Sequence, residues 1–188
     1  MPNAFVAHVG EDLSGESDVA RLKRGRPEAI EALLGRYQNR LFRYLLRLVG
    51  DSAQAEDLLQ QTWMRVMTHV HQYDERRAFE PWLFAVSRNL AIDHLRRTAP
   101  DSLSNEQASE VAGNDPSPLD QLLDRELHSR LAAKLQRLPV AYREALSLRF
   151  EEEMTFDEMA ELLQCPLSTV KSRVQRGLAA LRKGAHSL

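Results

Sequence analysis

Between Ala29 and Val49 the chain sets Ile30, Leu33, Leu34, Tyr37, Leu41, Leu45 and Leu48 at helical spacing, with Arg36, Arg40, Arg43 and Arg47 elsewhere around the cylinder. A period of 3.6 buries one stripe and leaves charge on the rest; a strand, with its period of two, would bring these arginines onto the buried face. The same spacing returns in later segments, and no alternating run competes with it. Eight glycines and an abundance of Leu, Ala, Arg and Glu also favour helix. The sequence therefore predicts an all-α protein: two small helical domains joined by a flexible acidic linker, the C-terminal one containing a helix-turn-helix.

Proline, glycine and capping residues divide the stripes into helices. Asp18 to Gly25 reads as a short helix capped by Asp18, and Pro27 stands where the next one starts. Gly50-Asp51 ends that helix. Residues 53–70 form another, with Leu59, Trp63, Val66 and Val70 on the core side and Asp57, Gln60, Gln61 and Met64 pointing away. After the polar loop "HQYDERRAFEP", residues 81–97 make a helix with Pro81 at its first position. Residues 98–118 hold Pro, Ser, Asn and acids without a period, which is linker composition. Helix resumes over 119–138, and Pro139 opens another that runs into the acidic Glu151-Glu152-Glu153. The expected organisation is a tail over 1–17, a domain over 18–97, the linker over 98–118 and a second domain over 119–188.

Net charge is −2, but it is segregated. Residues 21–97 carry fourteen Lys or Arg against nine Asp or Glu, whereas 98–124 carry six acids and no base. Residues 166–188 hold Lys171, Arg173, Arg176, Arg182 and Lys183 and no carboxylate. Such separation suits a polyanionic partner. A lone Cys165 excludes an internal disulfide and a cysteine-based zinc site, and no cofactor is expected. The N-terminus lacks the basic start and apolar run of a signal peptide, and no stretch approaches a membrane span. The expectation is a cytoplasmic protein with no membrane contact of its own.

The C-terminal segment carries the sharpest local pattern. Thr155-Phe156-Asp157-Glu158 is a capping box ahead of a short helix. That helix stops at Cys165-Pro166, because proline disfavours helix in the residue before it. Ser168 can cap a second helix. Unrolled, this second helix buries Val170, Val174, Leu178 and Leu181 and presents Ser168, Thr169, Ser172, Gln175 and Arg176, with Lys171 and Arg173 at the stripe's edges. These side chains hydrogen-bond to base edges and phosphates. Gly177 weakens the helix and lies beside the stripe, where close packing is a reason for it.

"LPVAYREALSLRFEEEMTFDEMAELLQCPLSTVKSRVQRGLAALRK" (138–183) resembles region four of bacterial sigma factors of the extracytoplasmic-function group. "AEDLLQQTWMRV" (55–66) is similar to that family's core-polymerase-binding segment, and "FEPWLFAVSRNLAIDHLRR" (79–97) to its promoter-melting segment. The resemblance is to the smallest, two-domain version of the family. It implies a non-catalytic specificity subunit that directs promoter-specific initiation. The implied partners are core RNA polymerase (the β′ clamp helices and the β subunit), promoter DNA and a separate anti-sigma factor. It implies polymerase docking through Asp57, Gln60, Gln61 and Met64, and minus-thirty-five recognition through Ser168, Thr169, Lys171, Ser172, Arg173, Gln175 and Arg176. For the melted minus-ten strand it implies Arg76, Arg77, Phe79, Trp82, Arg88, Asn89, His94, Arg96 and Arg97. Trp82 reads equally as core and as a stacking surface. The acidic linker reads as a polyanion mimic within the polymerase channels or as a charged tether.

Two other classes remain to be weighed. An autonomous helix-turn-helix regulator would use the same C-terminal helix, yet no heptad seam for a dimer is present. An enzyme could draw on His69, His71 and His94, but no nucleophile–base spacing, phosphate loop or metal-ligand cluster accompanies them.

Overall fold

The fold is that of a computed structural model describing residues 17–26, 28–98 and 131–183. Its helices are α1 (Asp18–Lys23), α2 (Glu28–Val49), α3 (Ser52–His69), α4 (Phe79–Thr98), α5 (131–136 of the described residues), α6 (Val140–Leu146), α7 (Phe156–Leu163) and α8 (Leu167–Lys183). A 3₁₀ turn, Val70–Gln72, follows α3, and a π turn, Ser147–Glu151, follows α6. No strand occurs among the described residues. The expected tail over 1–16, all of the linker except Thr98, and helix over 119–130 lie outside them.

Three boundaries differ from the sequence expectation. Ser17, not Asp18, caps α1: its backbone is extended and its Oγ accepts from the Ala20 amide at 3.1 Å. Asp18 is instead buried in the first turn, its carboxylate 3.3 Å from Arg36 Nη2. Helix α4 begins at Phe79, so Pro81 is its third residue. First-turn amides have no acceptor within the helix, and proline sacrifices no bond there. Likewise α8 begins at Leu167, so Ser168 lies inside its first turn.

The other punctuation acts as read. Asp51 accepts from the Gln54 amide to cap α3 at 2.8 Å, after Gly50 turns the chain at φ +80°. The Thr155–Glu158 capping box is formed in both directions, satisfying orphan amides of α7. Gln164 leaves α7 in the left-handed conformation (φ +51°), and Pro166 starts α8, so the two helices join through a tight turn.

In the N-terminal bundle Leu33, Leu41, Tyr44, Leu45 and Leu48 of α2 pack with Leu58, Trp63 and Val66 of α3 and Leu83, Phe84 and Ala91 of α4. The C-terminal helices bury Ala145, Leu146, Leu148, Met159, Leu162, Val170 and Val174. Here α8 lies against α6. A Cβ on Gly177 would come within 3.0 Å of Leu146 Cδ1, so its absence lets the helices approach. The two clusters are continuous: α6 packs on α2, and α7 on α4.

Candidate nucleic-acid and polymerase interfaces

Helix α3 has two faces. Leu58, Leu59, Thr62, Trp63 and Val66 are buried, and the Thr62 hydroxyl returns to the Leu58 carbonyl at 2.8 Å. Asp57, Gln60, Gln61 and Met64 are all exposed, as the period requires. Met64 is 64% exposed and Met67, which sequence reasoning missed, 50%. Two open methionines beside amides and a carboxylate make a surface with apolar area to bury and polar groups to orient a partner.

The loop after α3 is anchored by an aromatic cluster. Tyr73, Phe79 and Trp82 have ring centroids 5.2–5.5 Å apart, and Tyr37 meets Phe79 edge-on at 5.9 Å. Phe79 is buried at the centre of this cluster and turns inward, away from any strand on the surface. The Tyr73 hydroxyl donates to the Arg77 carbonyl, and Lys23 Nζ donates to the Tyr73 carbonyl at 3.0 Å. The loop is thereby held with Arg76 and Arg77 outward.

Trp82 serves both expected roles. One part of it packs against the core; another lines an open pocket of about 310 Å³ with Arg65, His69, Gln72, Val86 and Asn89. Arg65, His69 and Gln72 follow at intervals of four and three on the α3 side, a helical spacing that could have singled them out as a face. An indole wall, a guanidinium, an amide and an imidazole suit a planar, hydrogen-bonding ligand. His94 stands apart, its Nε2 2.8 Å from Gln54 Oε1. Arg96 and Arg97 are exposed at the end of α4, Arg96 3.8 Å from Asp93.

Helix α8 buries Val170, Val174 and Gly177 and turns Ser168, Lys171, Gln175 and Arg176 to solvent, with Thr169, Ser172 and Arg173 half-buried beside them. Among the described residues, Lys171, Arg173 and Arg176 meet no carboxylate. Lys171 Nζ lies 5.8 Å from the Phe156 ring centre, and the Arg149 guanidinium lies 5.2 Å from the same ring. These residues, with Thr155, Asp157 and Leu167, line a second pocket of about 250 Å³ at the start of α7. The sequence reading passed over Arg149 and Phe156, because Arg149 arrives from the π turn and no local period announces it.

The arginines of the N-terminal bundle are placed differently. Arg88 Nε lies 2.8 Å from Glu144 Oε1, which also accepts from the Tyr44 hydroxyl at 3.1 Å. Arg77 Nη1 lies 2.8 Å from Glu161, and Arg47 Nε 3.0 Å from Glu151. Arg40 is shared by Glu80 and Glu152. Burial works against the Arg40 cation, but the two carboxylates outweigh it and hold the guanidinium protonated. Glu152 is buried with one oxygen unpartnered, and burial raises its pKa against the pull of Arg40.

Arg143 is buried without a carboxylate: Nη2 donates to the Leu48 carbonyl at 2.8 Å, and Nη1 to the Gln136 carbonyl at 2.8 Å. Burial pushes it down to about 10, so it remains a cation near neutrality and complements the negative end of α2.

Two helical modules in series, each with an open polar or cationic face, define the class of protein, and comparison with known proteins defines its family. Residues 33–100 match the Sigma-70 region 2 family, and residues 128–181 the Sigma-70, region 4 family. The chain is 33% identical over 155 residues to the ECF RNA polymerase sigma factor SigM of Bacillus subtilis, covering 81% of this chain and 93% of that protein. It is 30% identical to the RNA polymerase sigma-H factor of Pseudomonas aeruginosa, over 90% and 93% of the two chains. The chain belongs to the ECF group of RNA polymerase sigma factors.

Solved structures agree on the fold. CnrH, determined in complex with the cytosolic domain of CnrY, superposes with a TM-score of 0.68 at 22% identity, covering 90% of this chain and 97% of that one. The sigma factor RpoE, determined with the anti-sigma factor NepR from Bartonella quintana, gives 0.67 at 22% identity over 83% and 96%. Among the described residues no helix is long and apolar enough to cross a membrane.

Proposed function

We propose that this sigma factor works in the cytoplasm through three surfaces on two domains, 18–97 and 119–188, joined by the acidic linker 98–118. Asp57, Gln60, Gln61 and Met64 on α3 dock on core polymerase. Helix α8, the second helix of a helix-turn-helix, enters the groove of the minus-thirty-five duplex. There Ser168, Gln175 and Arg176 meet base edges, while Thr169, Lys171, Ser172 and Arg173 meet edges and backbone. The minus-ten single strand runs over Arg76, Arg77, Arg88, Asn89, His94, Arg96 and Arg97, with an unstacked base entering the Trp82 pocket. Unstacking costs a few kcal/mol, which the indole and its polar neighbours offset. Phe79 acts from within, fixing the loop and Trp82. The protein has no chemistry of its own; polymerase supplies catalysis. Structural relatives solved with anti-sigma factors support a separate anti-sigma partner for this chain.

The observation that carries this reading is the open face of α8, with seven hydrogen-bonding residues from Ser168 to Arg176 and no carboxylate among them. The test is reconstitution with bacterial core polymerase and a pool of promoter fragments, followed by sequencing of the run-off transcripts. Defined start sites are expected, lost in a folded Gln60→Ala/Gln61→Ala variant. A chain that shifts specific duplex alone, yet neither binds core nor directs initiation, would instead be an autonomous regulator.

A further inference from the structure

The acidic run after α6 has no part in polymerase or DNA binding as described above, and it lies where the two modules meet. The four ion pairs across that boundary, Arg40–Glu152, Arg47–Glu151, Arg77–Glu161 and Arg88–Glu144, all run in one sense. The N-terminal bundle contributes the guanidinium each time, and the C-terminal helices contribute the carboxylate. A surface of arginines is thus met by a surface of anions, the arrangement in which nucleic-acid phosphates would meet it. Two of the four cations, Arg77 and Arg88, belong to the path proposed for the single strand.

The contacts differ in wetness. Arg77 and Glu161 have side chains 70% and 62% exposed, and such a pair is easily exchanged. Glu144 is 1% exposed and bonds both Arg88 and Tyr44, so the Arg88 guanidinium is held firmly while the modules are together. Neutral contacts close the same boundary: Gln136 Nε2 donates to the Leu46 and Arg47 carbonyls at 3.2 and 3.3 Å, and Arg143 to Leu48.

We propose that the chain masks itself: the carboxylates of its C-terminal helices, Glu144 and Glu161 above all, stand in for DNA phosphates on the minus-ten cations, so that single-stranded DNA and the closed arrangement exclude each other. This rests on the minus-ten assignment above and adds a regulatory step to it. The free chain has low affinity for single strands because its competent form is the open one, and its apparent affinity is reduced by the fraction that is open. Reciprocally, a bound strand holds the modules apart.

The test uses the full chain without polymerase at fixed salt. A fluorescein-labelled twelve-nucleotide single-strand pool of mixed sequence reports binding by anisotropy, and small-angle X-ray scattering reports the radius of gyration. Glu144→Gln/Glu152→Gln/Glu161→Gln removes anions from the boundary; Glu28→Gln/Glu31→Gln/Glu56→Gln makes the same charge change on exposed residues elsewhere. The first variant is expected to expand and to bind the pool roughly tenfold more tightly. The control should stay compact and gain much less. Adding the pool to the unaltered chain should raise its radius of gyration.

Equal gains in the two variants would overturn the proposal, since bulk charge would then explain them. So would an expanded variant with unchanged affinity, or a DNA complex as compact as the free chain. If the triple variant loses its helix content, Glu151→Gln/Glu161→Gln, which removes the two more exposed carboxylates, must move affinity and size in the same directions by a smaller amount. Normal initiation in the reconstituted assay alongside a negative result here would sink the masking and leave the proposed function standing. Failed initiation with core polymerase would instead strike the proposed function.

Discussion

The cations of α8 and those of the N-terminal bundle are the same chemistry in opposite settings. Lys171, Arg173 and Arg176 project from a helix whose carboxylate-free neighbours leave them to solvent and to Phe156. Arg40, Arg47, Arg77 and Arg88 face carboxylates that arrive from a hundred residues away or nearly so. The difference teaches that cation count does not identify a nucleic-acid surface in a folded chain. What matters is whether the fold has already given each guanidinium an anion. In this protein the duplex-facing cations are ready, and the strand-facing ones must first exchange partners.

Three substitutions probe that contrast through stability, in order of expected size. Arg88→Ala leaves Glu144 buried with no cation, and thermal unfolding should register a loss of about 2–3 kcal/mol, below the range for a wholly dry pair because Arg88 is partly exposed. Adding Glu144→Ala should recover part of that loss; a strictly additive double variant would mean that the two side chains are not coupled. Thr155→Ala removes the reciprocal cap of α7 and should cost about 1 kcal/mol. Its denaturation midpoint, compared with that of Thr155→Ser, separates the hydroxyl's bond from the methyl's packing. Arg176→Ala should change stability by under about 0.5 kcal/mol, being exposed and unpaired, yet weaken specific duplex binding by about 1–3 kcal/mol in a filter or anisotropy titration. An Arg176 variant as destabilised as the Arg88 one would erase the distinction.

Much of the local architecture could be read from the chain. The α2 stripe from Leu33 to Leu48, the Asp51 cap, the capping box at Thr155 and the proline turn at Pro166 each depend on residues within a few positions of one another. The faces of α3 and α8 followed from the same period, so Gln60, Gln61 and Arg176 were placed outward before any tertiary contact was known. Where local rules were ambiguous, packing arbitrated. Ser17 and Asp18 are both good caps, and Asp18 was drawn away by Arg36. Pro81 fits the first or third position of a helix, and burial of Phe79 among Tyr37, Tyr73 and Trp82 brought the start forward.

The sequence by itself determined which segments are helical, where they stop, which side of each is apolar and which family they belong to. Hydrogen bonds within a helix, caps and the 3.6 period act over at most a turn or two, and these properties are written there. Only the tertiary structure decided that Arg149 and Lys171 flank one ring, that Arg65 and His69 share a pocket with Trp82, and that Glu144 lies against Arg88. Those pairings join residues 13 to 56 positions apart on different elements. A charge carries no mark of the partner it will meet; burial of the intervening apolar faces brings the two together.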